Sequence, residues 1–220
     1  MDDILITCRT IEEHLRNPSG CLDRLQKYGV RAKIEKSDLL KEKIEYLGYE
    51  ISKVGVLPNK MKSEAIVAMP RPRSTEEVAT FLGMAQYYSA HIPNFSAIAA
   101  PLHDLKKKEK SFIWTSRCEK AFAEFKRALI GPALLMHFDE LLPIGVAADA
   151  SQKGIGAVLF HVLPDNSERP IYYASRTLSS AERNYSQVER EALAIIFALK
   201  NFIDIYFDVN FDYIMIINLY

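Results

Sequence analysis

A mixed α/β fold is predicted, with a helical middle and a β-β-β-α-β unit after residue 139. Three observations point to it. Ser-x-x-Glu signatures at Ser74, Ser116 and Ser186 each stand before a run with apolar residues at helical spacing, the mark of a capped helix N-terminus. From Leu141 the texture changes to small and β-branched residues in three strand-like runs, 142–150, 155–163 and 169–177. The run from Gln187 to about Phe202 is apolar nearly all round, so it is expected to be a buried helix, and a last strand follows over roughly 209–217.

Taken in order, Met1-Asp2-Asp3-Ile4-Leu5-Ile6-Thr7 sets two adjacent acids before a β-type apolar run. Either this is a solvated acidic terminus or the acids sit at the tip of a metal-binding hairpin. Residues 11–29 carry a helical pattern that stops at Gly29. Pro18 lacks an N–H and clashes with the preceding turn, so two helices are expected, the second capped by Asn17. Tyr46–Ser52 reads as a strand, closed into a hairpin by Gly55–Pro58. A short helix over 61–68 ends at the basic, proline-bearing link Met69-Pro70-Arg71-Pro72-Arg73. Behind Ser74, residues Val78, Phe81, Leu82, Ala85 and Tyr88 form one core-facing stripe. A turn at Ile92-Pro93-Asn94-Phe95 leads to a helix from Ser96 to about Lys107. The helix behind Ser116 carries Phe122, Phe125 and Leu129 and stops at Gly131-Pro132.

Composition narrows the classes. With 49% hydrophobic and 25% charged residues, the 220-residue chain is ordinary for a globular protein of one large or two small domains. Lys plus Arg and Asp plus Glu number 28 each, so a surface for a polyanion must be a local patch. Lys106-Lys107-Lys108-Glu109-Lys110 is one such cluster, read first as a solvated loop and second as a phosphate contact. Cys8, Cys21 and Cys118 have neither metal-ligand nor disulfide-framework spacing, so a reduced intracellular setting is expected. No apolar run reaches the roughly 18 residues of a membrane span, and no signal peptide is expected.

The residues that carry chemistry are acids. In Pro143–Ser151, strand alternation places Ile144, Val146 and Ala148 on one face and Gly145, Ala147 and Asp149 on the other. An acid among such small neighbours is either a turn residue or a metal ligand presented from a rigid strand. On the helix after Ser186, Glu189 has a role as the capping partner, whereas Glu191 has none and is available to a site. Three strands, a buried helix and a strand, with one acid on the first strand and another on the helix, is the ribonuclease H arrangement. Two Mg²⁺ ions roughly 4 Å apart need carboxylates that converge from several elements to hydrolyse a phosphodiester.

The order of motifs also resembles the Pol polyprotein of gypsy-class LTR retrotransposons, from the end of the reverse transcriptase palm into ribonuclease H. The pieces that carry the resemblance are Met1–Ile6, Glu13-His14-Leu15, Lys27-Tyr28-Gly29, Tyr46-Leu47-Gly48-Tyr49, Phe81-Leu82-Gly83, Tyr87-Tyr88 and Ile92–Ser96. They continue through Ala100-Pro101-Leu102, Asp149-Ala150-Ser151, Gly154–Leu159, Arg169-Pro170-Ile171, Ala174–Leu178 and Asn184-Tyr185-Ser186, covering residues 1 to about 202.

The resemblance implies three regions: 1–70 as the palm end with a primer-grip hairpin, 71–138 as thumb or connection helices, and 139–220 as a C-terminally truncated ribonuclease H-like domain. It implies that Asp2 and Asp3 are the adjacent acids of the polymerase metal site and that Asp149 and Glu191 are the first two ribonuclease H carboxylates. All four would bind Mg²⁺, or Mn²⁺ in its place. Tyr46, Leu47, Gly48 and Tyr49 would touch nucleic acid. The implied activities are RNA-directed DNA polymerase and endonuclease, and the implied partners are primer–template or RNA–DNA hybrid and the rest of the polyprotein, with no membrane. The fingers, most of the palm and the family's fourth nuclease acid are not in the sequence. Where a third nuclease aspartate is expected, near 215–217, the residues are Met215-Ile216-Ile217, and Asp212 comes about four residues early. The isolated chain is therefore expected to be inactive or incomplete; the alternative is a non-catalytic remnant or domesticated module that binds nucleic acid or protein.

Overall fold

The computed structural model describes residues 4–8, 10–33, 37–38, 41–107, 111–131, 133–207 and 215–218, with side chains placed up to residue 203. Two compact units divide the chain, residues 1–53 and 54–220.

In the first unit, α1 (Ile11–Lys27) starts at Thr10, whose Oγ1 accepts the Glu13 N–H at 3.2 Å. The helix runs unbroken through Pro18, contrary to the expected two-helix reading. Asn17 does not cap a second helix; its amide donates to Cys8 Sγ at 3.4 Å. Pro18 removes one helical bond, but Glu12 and Glu13 in the first turn and Arg24 and Lys27 in the last complement the helix dipole. Strands β1 (Lys43–Tyr46) and β2 (Tyr49–Ser52) form an antiparallel hairpin in which Tyr46 pairs with Tyr49. The chain reverses at Leu47-Gly48, with φ of 45° and 79°, so 46–52 is not one strand as expected. Two consecutive positive φ values make a type I′ turn, whose twist matches that of the strands; Gly48 adopts it without Cβ strain.

The second unit begins with β3 (Gly55–Pro58) and α2 (Lys60–Ala68), the latter capped by Asn59. Helices α3 (Thr75–Tyr87), α4 (Phe95–Asp104) and α5 (Ser116–Ile130) bury the expected stripes: Val78, Phe81, Leu82 and Ala85 from α3, Phe122, Phe125 and Leu129 from α5. Phe81, Phe95, Phe122 and Phe125 interlock, with ring centroids 4.7 Å (81–122), 5.9 Å (81–125) and 5.1 Å (95–125) apart. Ser74 caps α3 as expected. For α5 the cap lies one residue earlier than expected: Thr115, in extended conformation, accepts the Cys118 N–H, and Ser116 is the first helical residue. Glu119 instead accepts the Trp114 indole N–H at 2.7 Å.

A four-stranded sheet follows, in the order β6-β5-β4-β7. Strands β4 (Ile144–Ala150), β5 (Gly154–Val162) and β6 (Glu168–Thr177) pair antiparallel, and β7 (Met215–Asn218) pairs parallel with β4. Of the predicted final strand over 209–217, residues 215–217 lie in β7, and 208–214 lie outside the described residues. Between β6 and β7 runs α6 (Gln187–Phe207). Ala194, Ala198 and Phe202 of α6 join Ile144, Val146, Ala148, Ala150, Ile155 and Leu159 in one core. Helix α6 was expected to be buried nearly all round. It is buried along this one stripe, and Val188 is 73% exposed and Ile196 49%, because a helix laid on a sheet covers only one of its sides.

Two buried histidines anchor the link between α5 and β4. His91 Nδ1–H donates to Ala133 O at 2.9 Å. His161 Nε2 accepts the Asp139 N–H at 3.0 Å while its Nδ1–H donates to Pro143 O at 3.2 Å, a pair of bonds that selects one neutral tautomer.

Candidate functional site

Asp149 is an exposed residue between the buried Ala148 and Ala150 near the C-terminal end of β4. Ala148 and Ala150 belong to the core beneath α6, so alternation turns Asp149 to the opposite face. There it heads a row across three strands: Asp149 pairs with Gly156, and Gly156 with Ser175. The segment Asn94-Phe95-Ser96, at the start of α4, lies along this row. Asn94 is left-handed (φ 52°) and makes no side-chain cap for its own helix. Its Oδ1 stands where a Cβ on Gly156 would lie only 2.6 Å away, and Ser175 Oγ accepts the Ser96 N–H at 3.0 Å. A glycine at 156 leaves room for the Asn94 amide.

Glu191 lies in the second turn of α6, half-buried, and accepts Gln187 Nε2–H at 2.9 Å. Glu189 is engaged in the reciprocal cap expected of it: Ser186 N–H donates to Glu189 Oε2 at 2.7 Å, and Glu189 N–H to Ser186 Oγ at 3.3 Å. The backbone bond from Ser186 holds the Glu189 carboxyl below the ordinary carboxylate range. Helix α6 runs antiparallel to β4. Phe197 lies under the Arg176 guanidinium, in the row of Ala150, whereas Phe202 meets Tyr172, in the row of Val146. Glu191, about 9 Å along the helix before Phe197 at 1.5 Å per residue, is therefore toward the end of the sheet that carries Asp149.

The structure thus places Asp149 and Glu191 toward the same end of the sheet, with the Asp149 side chain on the face opposite the one that α6 covers. Strand β7 pairs Gly145 with Met215 through Ala148 with Asn218, and none of its four residues is a carboxylate. Among the described residues no three His, Cys, Asp or Glu side chains converge as a metal nest. The oxygen donors suit a divalent ion in type, yet they do not make a complete ligand set. Asp2, Asp3 and Asp212 lie outside the described residues. Tyr46–Tyr49 form the β1–β2 turn, with Leu47 43% exposed at its tip.

Sequence reasoning singled out Ile92–Ser96 and Ala174–Leu178 as family-like pieces without a role in the site. Strand register sets Ser175 in the row of Asp149, and the Ser96 N–H bond to its hydroxyl brings the start of α4 there, a meeting of residues far apart in the chain.

Residues 1–51 match the family model described as reverse transcriptase (RNA-dependent DNA polymerase), and residues 114–212 the model described as the RNase H-like domain found in reverse transcriptase. The Tf2-3 and Tf2-7 transposon polyproteins of Schizosaccharomyces pombe are each 32% identical to the chain over 201 residues, 91% of this chain. The chain belongs to the retrotransposon reverse transcriptase–ribonuclease H family. It spans 15% of the length of those Tf2 relatives. Among solved structures, the foamy viral protease–reverse transcriptase in complex with an RNA/DNA hybrid aligns over 97% of this chain and 28% of its own, with a TM-score of 0.80 and 25% identity. The same viral protein in complex with double-stranded DNA aligns over 97% of this chain and 44% of its own, with a TM-score of 0.78. This reverse transcriptase–ribonuclease H family is in general divalent-metal dependent. No helix among the described residues is long and apolar enough to cross a membrane.

Proposed function

We propose that the chain is part of an RNA-directed DNA polymerase and ribonuclease H that acts on primer–template or RNA–DNA hybrid by two-metal phosphodiester chemistry. Asp149 and Glu191 are the first two nuclease carboxylates, Asp2 and Asp3 the polymerase pair, and the Tyr46–Tyr49 turn a nucleic-acid contact. The regions are 1–70, 71–138 and 139–220. The ion is Mg²⁺, with Mn²⁺ as a substitute, and the setting is intracellular. The observation that most supports this is the placement of Asp149 and Glu191 at one end of a sheet of ribonuclease H order, on a strand and helix that pack together. When bound, the metals would activate water and stabilise the leaving oxygen. The chain's own part is to hold one carboxylate on a rigid strand among small residues and to aim a second from the start of α6. Because β7 brings no carboxylate, the isolated chain cleaves hybrids poorly or not at all.

Paramagnetic broadening by Mn²⁺ tests the site without requiring turnover. Amide signals of Asp149, Gly156 and Glu191 should broaden first, and Asp149→Asn should remove the effect. Uniform broadening, or none, would overturn the assignment of these two residues. Robust Mg²⁺-dependent hybrid cleavage that Asp149→Asn abolishes would instead overturn the claim of inactivity.

A further inference from the structure

Glu191 on α6 is joined to two other side chains of the same helix. Gln187 Nε2–H donates to Glu191 Oε1 at 2.9 Å, and Arg190 Nη2–H donates to Gln187 Oε1 at 2.9 Å. Residues 187, 190 and 191 stand at i, i+3 and i+4, the spacing at which helical side chains meet. Chemistry fixes the direction of both bonds. A guanidinium only donates, so Gln187 turns its amide oxygen to Arg190, and its NH₂ then faces Glu191. Arg190 is itself anchored. It continues the buried stripe of Ala194, Ala198 and Phe202 toward the start of α6, half-buried, and its Nε is buried with no hydrogen-bond partner among the described residues. An unpartnered buried N–H is a cost that a plain apolar stem would not carry. Among the described residues, the side chain of Arg190 makes its one hydrogen bond to Gln187.

We propose that Gln187 is a positioning residue for Glu191, with Arg190 setting the orientation of its amide, so that Glu191 offers Oε2 to a divalent ion. Gln187 occupies Oε1, and no hydrogen bond reaches Oε2 among the described residues. A hydrogen bond to a ligating carboxylate restricts its rotation, and that restriction is part of what holds an ion. Glu189 is the contrast on the same helix: its Oε2 is taken by the Ser186 N–H. An exposed Gln–Glu pair at this spacing adds little to helix stability, so its effect is read in the carboxylate rather than in the fold. The inference rests on the reading of Glu191 as a metal ligand and adds the residues that orient it.

The test is a Mn²⁺ titration of the full chain, followed by broadening of the Glu191 amide signal, beside thermal unfolding of the same proteins. Gln187→Ala should weaken Mn²⁺ binding about 10-fold, the lower end of what losing a bond to a metal ligand does, and leave the thermal midpoint within about 2 °C of the parent's. Arg190→Met keeps a buried stem and removes the donors. The Gln187 amide then divides between two orientations, so affinity should fall about 2-fold while the midpoint holds or rises. The sign decides, because removing a cation near the site would by charge alone tighten Mn²⁺ binding. Arg190→Lys, which keeps a donor, should recover most of the loss. Unchanged affinity in Gln187→Ala, or a loss that comes with a larger fall in midpoint, would overturn the positioning role and leave Glu191 a ligand. Unchanged or tighter binding in Arg190→Met would overturn the part given to Arg190. A parent chain in which Mn²⁺ broadens no signal selectively would overturn the metal reading of Glu191, and this role with it.

Discussion

The backbone N–H of Ser96 donates to Ser175 Oγ at 3.0 Å, so a strand of the sheet caps a helix to which it does not belong. Asn94, the residue that would normally cap α4, is turned left-handed and makes no cap bond; its amide rests over Gly156. The start of α4 is therefore fastened to the row of Asp149, Gly156 and Ser175 at two points. Ser175→Ala should cost about 1 kcal/mol, the usual worth of an N-cap, whereas Ser175→Thr should retain most of it. Urea unfolding of the three proteins measures the difference, and equal midpoints would show that the cap carries no stability.

Three glycine replacements should separate by what a new Cβ meets. At Gly156 it meets the mobile end of the Asn94 side chain, so Gly156→Ala should move that amide at little cost in stability. At Gly145 it would lie 2.5 Å from the ring of Phe160, itself 2% exposed, so Gly145→Ala should cost about 1–3 kcal/mol by overpacking. Gly55 combines φ 143° with the backbone carbonyl oxygen of Leu135 standing where a Cβ would have to go, so Gly55→Ala should be the most damaging. Thermal midpoints in the order Gly55, Gly145, Gly156, lowest first, are expected.

Helix α5 offers a direct comparison of neighbouring caps. Thr115→Ala removes the acceptor of the Cys118 N–H and should cost about 1 kcal/mol, whereas Ser116→Ala should change stability by less than about 0.5 kcal/mol. The reverse ranking in denaturant titrations would return the cap to Ser116.

Glu182 is held at about 2, against an ordinary 4.5, first by its bond from Arg176 and then by the Ser179 N–H. Its folded value lies below its unfolded one, so its contribution is fully present above pH 4.5 and disappears as pH falls from there toward 2. Glu182→Gln should therefore lower the urea midpoint at pH 7 and converge with the parent near the bottom of that window. A gap of constant size across it would contradict the pairing.

Burial pushes the His91 imidazole below its usual 6.5, which makes the unfolded chain the better proton acceptor. Stability should then fall as pH drops below 6.5, until the folded value is reached. His91→Gln, a non-titrating donor to Ala133 O, should flatten this dependence between pH 7 and pH 5, and His91→Ala should cost about 1–3 kcal/mol by stranding that carbonyl. Parallel pH profiles of thermal midpoint for His91→Gln and the parent would remove His91 as the cause.

Much of the fold was legible because its signals are local. Ser74 and Ser186 cap the helices they precede, the stripe Val78–Tyr88 is buried, and the three strands lie within one or two residues of their predicted limits. The failures share a cause. Pro18, the Leu47-Gly48 reversal and the shift from Ser116 to Thr115 are each decided by one backbone angle or one hydrogen bond, between alternatives that composition scores alike.

For the site, the sequence by itself determined which acids could serve: Asp149 on a strand of small residues, and Glu191 rather than Glu189, whose cap role was readable three residues from Ser186. Only the tertiary structure decided what stands around them. The row Asp149–Gly156–Ser175 and the Asn94 amide above it come from segments up to about 80 residues apart in the chain. Strand register and helix packing set such neighbours by burying a core common to all of them. No spacing along a single segment encodes that arrangement.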